Sequence, residues 1–343
     1  MKIVADKNIP FLEGVFEPYC EVSYVAGNEI TRADLVDADA LIIRTRTRCD
    51  ANLLDGTGVK IIATATIGMD HIDFDYCNAH KIEVHNAQGC NAGGVAQYVF
   101  SALFGVAARK AMLLKGSAMG IVGVGHVGSL VADMARKLGF RLFLCDPPRA
   151  AAEGPEGFCS LEELLDNCQI VTMHTPLDET TRAMANDNFF NRMQPGAIFI
   201  NASRGEVVDD GALKRHIPKL GAVVIDTWNN EPDIDAELVD MVDIATPHIA
   251  GYSYQGKQNG TAMAVRAVAR HLGIVQLYEF YPRSEYADEQ PLKLNVEGMS
   301  QGEIAAIFQY NYPVFTDDFI LRMNPENFEK IRTEYQYRRE FYL

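Results

Sequence analysis

Three glycines and a handful of polar residues mark where this chain could do chemistry. Gly123, Gly125 and Gly128 form a G-x-G-x-x-G in the stretch "IVGVGHVGSLVADMARKLGFRLFLCDPPR", and Asp146 stands 18 residues beyond Gly128. That pattern is weak alone. Here an apolar run precedes it, helical spacing follows, and a second apolar run ends on the acid. Gly123 would permit a tight turn, Gly125 would leave room for a pyrophosphate, and Gly128 would let the helix pack on its strand. The amides of Gly125, His126 and Val127 would open the helix and meet phosphates at its positive end. Asp146 can accept hydrogen bonds from a ribose and would repel a 2′-phosphate. The expected cofactor is therefore NAD rather than NADP. Arg149 follows two prolines and is not expected to alter that choice.

Three later stretches place polar residues just after apolar runs: "FINASRGEVVD" with Arg204, "VIDTWNNEP" with Asp226 and Glu231, and "IATPHIAGYS" with His248. A parallel sheet puts its ligand crevice at such strand ends. Hydride transfer from a hydroxyl carbon needs a base for the hydroxyl proton and a cation for the substrate's carboxylate. Histidine titrates near neutrality and suits the first task. A carboxylate such as Glu231 would orient it and raise its pKa. The planar fork of Arg204 suits the second task.

These residues need elements to position them. "KIVAD", "EVSYV", "ALIIRT", "KIIATAT" and "IEVHNA" read as strands, with helices at "TRADLVDA" and "HIDFDYCNAH" between them. Asn91 to Lys110 is apolar on nearly all sides, a helix expected to be buried between two domains. Strands then recur at "GIVGVG", "RLFLCD", "QIVTMH", "AIFINAS", "AVVIDT" and "VDIAT", with helices at 127–138, 161–167 and 209–216. Such alternation implies parallel sheets covered on both faces. A further apolar-striped helix after Gly256 is expected to cross back to the first domain. The tail from about Tyr281 is aromatic-rich, with Ser300 and Glu303 as a capping box. It reads as a small third unit, packed on its own chain or against another subunit.

Composition narrows the class. The 343 residues are 48% apolar and carry a net charge of −15, which argues against nucleic acid or an anionic membrane as partner. Seven cysteines lack any CxxC pairing, so no metal site is expected and a reducing, cytoplasmic setting is. The start, "MKIVADKNIP", reads as a first strand and not as a signal peptide, and no apolar run is long enough to span a bilayer.

The segments "GIVGVGHVG…D", "TPL", "INASRGEVVD", "DTWNNEP" and "PHIAGYS" resemble the motifs of the D-isomer-specific 2-hydroxyacid dehydrogenases, over about Lys2 to Leu277. The resemblance implies an α/β chain with two Rossmann-like, doubly wound parallel-sheet domains. A substrate domain (1–92 and 258–282) would be split by an inserted NAD domain (93–257). A small C-terminal α+β unit (283–343) would make a homodimer. Arg204, Glu231 and His248 would be the catalytic set. Asp146, Thr175, Ala202, Ser203, Arg204, Asp226, Gly251 and Tyr252 would contact NAD. Thr45, Thr66, Arg44 and Tyr252 would bind a phosphorylated 2-hydroxy acid. Gln97 stands where the family commonly has glutamate, at a structural position. In "IIRTRTRCD", continued extension would set Arg44, Arg46 and Arg48 on one side and Thr45 and Thr47 on the other. A bend would be needed to bring an arginine and Thr45 to one phosphate. Two alternatives stay open: a dehydrogenase for another D-2-hydroxy acid such as 3-phosphoglycerate, and a non-catalytic NAD(H) sensor on the same fold.

Overall fold

The structure is a computed structural model and describes residues 1–283 and 290–343. The chain divides into two compact units, Met1–Asn91 with Ser253–Gln290, and Ala92–Tyr252 with Pro291–Leu343. The first residues of the expected tail unit, 284–289, lie outside the described residues.

The first unit holds a five-stranded parallel sheet of β1 (Lys2–Asp6), β2 (Glu21–Val25), β3 (Ala40–Ile43), β4 (Ile61–Thr64) and β5 (Glu83–Asn86), in the order β2-β1-β3-β4-β5. β3 and β4 are buried throughout, which is why they read as continuous apolar runs. The helix Tyr254–Leu272 packs on this sheet through Ala264, Val265, Val268 and Ala269. It starts earlier than Gly256 because the Ser253 side chain accepts the Gly256 amide as its cap. It stops at Gly273, in a left-handed conformation. The run "GIVQLYEF" is therefore not helical beyond a short 3-10 turn at Val275–Leu277.

The second unit holds β6 (Ala118–Val122), β7 (Arg141–Cys145), β8 (Ile170–Met173), β9 (Ile198–Asn201), β10 (Ala222–Ile225) and β11 (Ile244–Ala245). They form a parallel sheet in the order β11-β10-β9-β8-β6-β7. The helix Ala92–Arg109 is buried as its composition required, but within this unit. Its Tyr98, Val99, Leu103 and Phe104 share one core with Phe308, Tyr312 and Phe341 of the tail. That shared core is why residues 291–343 join the second unit and do not form a third. The tail's capped helix Gln301–Asn311 has the capping box, with Ser300 Oγ accepting the Glu303 amide at 3.3 Å. The helices Val314–Met323 and Phe328–Thr333 follow, and β12 (Leu292–Lys293) pairs with β13 (Phe341–Tyr342).

Candidate active site

Because every strand of the second sheet is parallel, all their carboxyl ends lie on one edge. The glycine turn follows β6, Thr175 follows β8, Ala202–Arg204 follow β9, Asp226–Glu231 follow β10, and His248–Tyr252 follow β11. The strand order reverses between β6 and its neighbours, the place where such sheets bind nucleotides.

The glycine turn has the shape its spacing implied. Gly123 has φ +86° and sits so close to His174 that a Cβ would meet its carbonyl at 2.7 Å. A Cβ on Gly128 would lie 2.0 Å from the Gly123 oxygen, so helix and turn touch there. At Gly125 a Cβ would meet nothing within 4 Å: the loop faces open space. His126 opens the helix His126–Lys137. Thr175 Oγ1 is buried with no hydrogen-bond partner among the described residues, as expected of a hydroxyl awaiting a ligand. These features fit a dinucleotide.

Asp146 accepts the Val124 amide at 2.7 Å and the Arg149 amide at 3.0 Å, so it ties the second strand to the glycine turn. The two prolines do not carry Arg149 away. They form the first turn of the helix Pro147–Glu153, which Asp146 caps, and this returns Arg149 to the Val124 carbonyl. Its charge is met by Glu153 at 2.7 Å. Asp146→Ser is expected to raise kcat/KM with NADP relative to NAD about tenfold or more, by removing the repulsion of a 2′-phosphate. Unchanged discrimination in an NADH/NADPH absorbance assay would remove Asp146 from that role.

Beside the turn, burial pushes the His174 imidazole down to about 3. Its Nε2 lies 3.0 Å from Thr172 Oγ1. Unfolded, a histidine titrates near 6.5. The folded form thus resists a proton that the unfolded form takes up, and stability falls as pH drops from about 6.5 toward 3. In urea titrations between pH 7 and 5, His174→Gln should lose up to about 1.4 kcal/mol per pH unit of this slope. A slope identical to the parent's refutes it.

The last three loops are stitched together. His248 Nδ1 meets Glu231 Oε2 at 2.8 Å, and Glu231 Oε1 accepts the Trp228 amide at 3.0 Å. The Trp228 indole donates to the Thr246 carbonyl at 2.9 Å. A Cβ on Gly205 would sit 2.0 Å from the Trp228 carbonyl, so the backbone beside Arg204 lies against the Glu231 loop. Asn201 fixes the turn that carries Arg204: it donates to the Arg204 carbonyl at 2.9 Å and accepts from the Ser203 amide and hydroxyl. Arg204 itself donates to the Ser203 carbonyl at 2.8 Å. Burial opposes ionisation of Glu231. The His248 charge and hydrogen bond, the Trp228 amide and the Arg332 guanidinium outweigh it, and the carboxyl lies below its ordinary range.

His248 has φ +55°, a left-handed conformation that a histidine rarely holds. Asp226 holds it there. This buried carboxylate accepts the Thr246 hydroxyl at 2.6 Å and the Ile249 and Ala250 amides at 2.9 Å each, while its carbonyl accepts the His248 amide at 2.7 Å. Burial pushes the Asp226 carboxyl up, against the nearby His248 charge and those three bonds. Tyr98 extends the network, its hydroxyl 2.8 Å from Thr246 Oγ1. Sequence reading missed Asn201, Thr246 and Tyr98. The first two stand in the quoted strand-end segments, but only their bonds reveal a role.

In the first unit, the strand β3 ends at Ile43 and the chain turns at Thr45 and Arg46, so the arginines do not alternate with the threonines along one extended edge. Arg44 Nε pairs with the buried Asp6 at 2.8 Å, and Arg48 pairs with Asp50 at 3.1 Å. Thr47 is buried and donates to the Gly27 carbonyl, while Thr45 is exposed. Thr66 follows β4 and lies 2.6 Å from the Thr64 hydroxyl. Gln97 is structural: it donates to the Arg339 carbonyl and accepts from Arg338. Among the described residues no cluster of His, Cys, Asp and Glu could hold a metal ion, and no helix is long and apolar enough to cross a membrane.

Residues 102–250 match the family profile "D-isomer specific 2-hydroxyacid dehydrogenase, NAD binding domain". The fold recurs in a 3-phosphoglycerate dehydrogenase of Entamoeba histolytica solved with NAD+. That match has a TM-score of 0.68 and 27% identity, over 79% of this chain and 95% of that one. A D-lactate dehydrogenase of Aquifex aeolicus shares the fold with a TM-score of 0.68, at 22% identity over 83% of this chain and all of that one. Fold and site thus define an NAD-dependent dehydrogenase of the D-2-hydroxyacid class. Over 99% of its length the chain is 43% identical to an erythronate-4-phosphate dehydrogenase of Bacteroides fragilis, covering 97% of it. It is 41% identical to one of Yersinia pestis, covering 93%. The chain belongs to the erythronate-4-phosphate dehydrogenase family.

Proposed function

We propose that the protein oxidises 4-phospho-D-erythronate to 2-oxo-3-hydroxy-4-phosphobutanoate with NAD, as a step of pyridoxal phosphate synthesis. The observation that carries the chemistry is the His248–Glu231 pair, 2.8 Å apart, on the same sheet edge as the glycine turn. The substrate assignment rests on the names of the relatives.

Gly123, Gly125, His126, Val127 and Gly128 would hold the pyrophosphate, and Asp146 the ribose. Thr175, Ala202, Ser203, Arg204, Asp226, Gly251 and Tyr252 would line the rest of the NAD site. When bound, NAD supplies the acceptor for the C2 hydride. Arg204 pairs with the substrate carboxylate. With Nδ1 engaged by Glu231, His248 takes the C2 hydroxyl proton at Nε2, and Glu231 stabilises the imidazolium that results. Thr45, Thr66, Arg44 and Tyr252 are the substrate-binding residues in this reading. An absorbance assay for NADH, with 4-phosphoerythronate, 3-phosphoglycerate, lactate and glycerate at equal concentration, tests it. Preference for any of the other three acids overturns the substrate, and binding of NAD without turnover of any of the four would favour a sensor.

The tail is further proposed to join two copies in a homodimer. Phe319, Ile320 and Met323 on the helix Val314–Met323 and Tyr310 on the helix before it are exposed, an apolar surface suited to a subunit contact. Phe319→Glu should shift the mass measured by light scattering from dimer to monomer; a parent that is already monomeric ends the idea. Seven cysteines with no CxxC pair suit a reducing cytoplasm. Activity released with a periplasmic fraction would contradict that location.

A further inference from the structure

The C-terminal segment reaches the catalytic loop of its own chain. Arg338 is buried, and its guanidinium donates to the main-chain carbonyls of Ile249 at 2.9 Å, Tyr252 at 3.2 Å and Gly94 at 3.0 Å, and to that of Ala250. Its Nε donates to Gln97 Oε1 at 3.2 Å, Nη1 also reaches the Tyr335 hydroxyl at 3.3 Å, and its carbon stands 4.2 Å over the Tyr312 ring. Three of those four carbonyls lie in the four residues that follow His248.

The amides of the same loop are held from the other side, those of Ile249 and Ala250 by Asp226. A buried anion thus grips the N–H groups and a buried cation the C=O groups. Left-handed His248 turns this segment out of strand geometry, so side chains supply the bonds that a sheet would otherwise give. The two tyrosines that Arg338 touches, Tyr312 and Tyr335, both donate their hydroxyls to Asp317, at 2.9 and 3.0 Å. A cation buried among carbonyls costs more than an apolar side chain of that size would, which favours a role in geometry over simple packing. A second tail arginine touches the partner of His248: Arg332 Nη1 lies 3.7 Å from Glu231 Oε2.

We propose that Arg338 and Arg332 are positioning residues for the dehydrogenase reaction, Arg338 fixing the backbone that carries His248 and Arg332 steadying Glu231. The inference rests on the reading of His248 and Glu231 given above. It makes the C-terminal segment part of the catalytic centre in its own chain, in addition to any role between subunits.

The test uses the full chain. Arg338→Ala should lower kcat with 4-phosphoerythronate about a hundredfold, the scale expected for a misplaced catalytic group, a larger change than the rise in KM for NAD that loosening Gly251 and Tyr252 in the same loop brings. Guanidinium at millimolar concentration should restore at least about a tenth of the lost rate, by refilling the cavity. Arg332→Gln, at a less enclosed position, should lower kcat about fivefold with KM for NAD unchanged. Trp228 is the only tryptophan, buried on the Glu231 loop and bonded to Thr246. Acrylamide quenching of its emission should rise in Arg338→Ala and fall back with guanidinium, a readout that needs no substrate. A folded Arg338→Ala with parental kcat and parental quenching overturns the proposal, as does a loss of rate that guanidinium does not touch. If Arg338→Ala does not fold, parental kcat in Arg332→Gln is the overturning result. A parent that turns over no 2-hydroxy acid defeats the proposed function instead, and the quenching result then decides whether Arg338 holds the loop.

Discussion

Replacing His248 by alanine is expected to lower kcat by about three orders of magnitude while NAD still binds with near-parental affinity. Positioned general bases contribute about 10² to 10⁴ in rate, and His248 is the one imidazole bonded to Glu231 among the described residues. The backbone should survive the change. Alanine can keep the His248 amide bonds to the Asp226 and Thr246 carbonyls, and Asp226 still holds the next two amides. The left-handed φ of +55° costs alanine about 1 kcal/mol, since a Cβ is strained there whatever its side chain. The loss should therefore appear in kcat far more than in KM for NAD. Single-turnover measurement of NADH formation, set beside NAD titration of the Trp228 emission, separates the two. Turnover within about tenfold of the parent would take His248 out of the proton transfer.

Much of the candidate site's placement is legible in the sequence. Each residue singled out for the cofactor or the catalytic set of the second unit lies after a strand of one parallel sheet or in the glycine turn. Sheet topology alone then gathers Arg204, Glu231 and His248 on one edge. The capping box at Ser300 and Glu303 is legible for a similar reason: its partners are three residues apart. What stays hidden depends on distance along the chain or on backbone conformation. Nothing in "IATPHIAGYS" shows that the histidine is left-handed, because that state comes from Asp226 more than twenty residues earlier. Nothing in "YQYRREF" marks Arg338, whose acceptors Gly94 and Ile249 lie 244 and 89 positions away. Short helices such as Asp187–Arg192 and Ala236–Met241 escaped periodicity because each has under two turns. At Arg44 the alternation of arginine and threonine left two paths open, continued extension or a bend; the chain turns after Ile43, and the arginine pairs with Asp6, a partner 38 positions away that the pattern could not name.

Glu231→Gln should cost nearly as much as the loss of the imidazole, about 10²- to 10⁴-fold in kcat, for a different reason. The carboxylate accepts two donors, His248 Nδ1 and the Trp228 amide, and the Arg332 cation stands beside it. A glutamine oxygen can serve only one of these well, and its amino group must then face a second donor. If that oxygen keeps Trp228, the His248 ring faces N–H groups and is driven to the tautomer with its proton on Nε2, the nitrogen that would accept the substrate proton in the proposed reaction. If it keeps His248, the imidazolium formed in the reaction lacks its counter-charge and has Arg332 near it uncompensated. Both outcomes slow the chemical step, and neither touches the glycine turn or Asp146. KM for NAD should stay within about threefold of the parent, and the rate of the reverse reduction should fall as well, since the same imidazolium is its acid. Glu231→Asp, which keeps the charge on a shorter arm, should recover part of the rate. Equal rates for the glutamine variant and the parent across pH 6 to 9 would mean that the Nδ1 contact orients nothing of consequence.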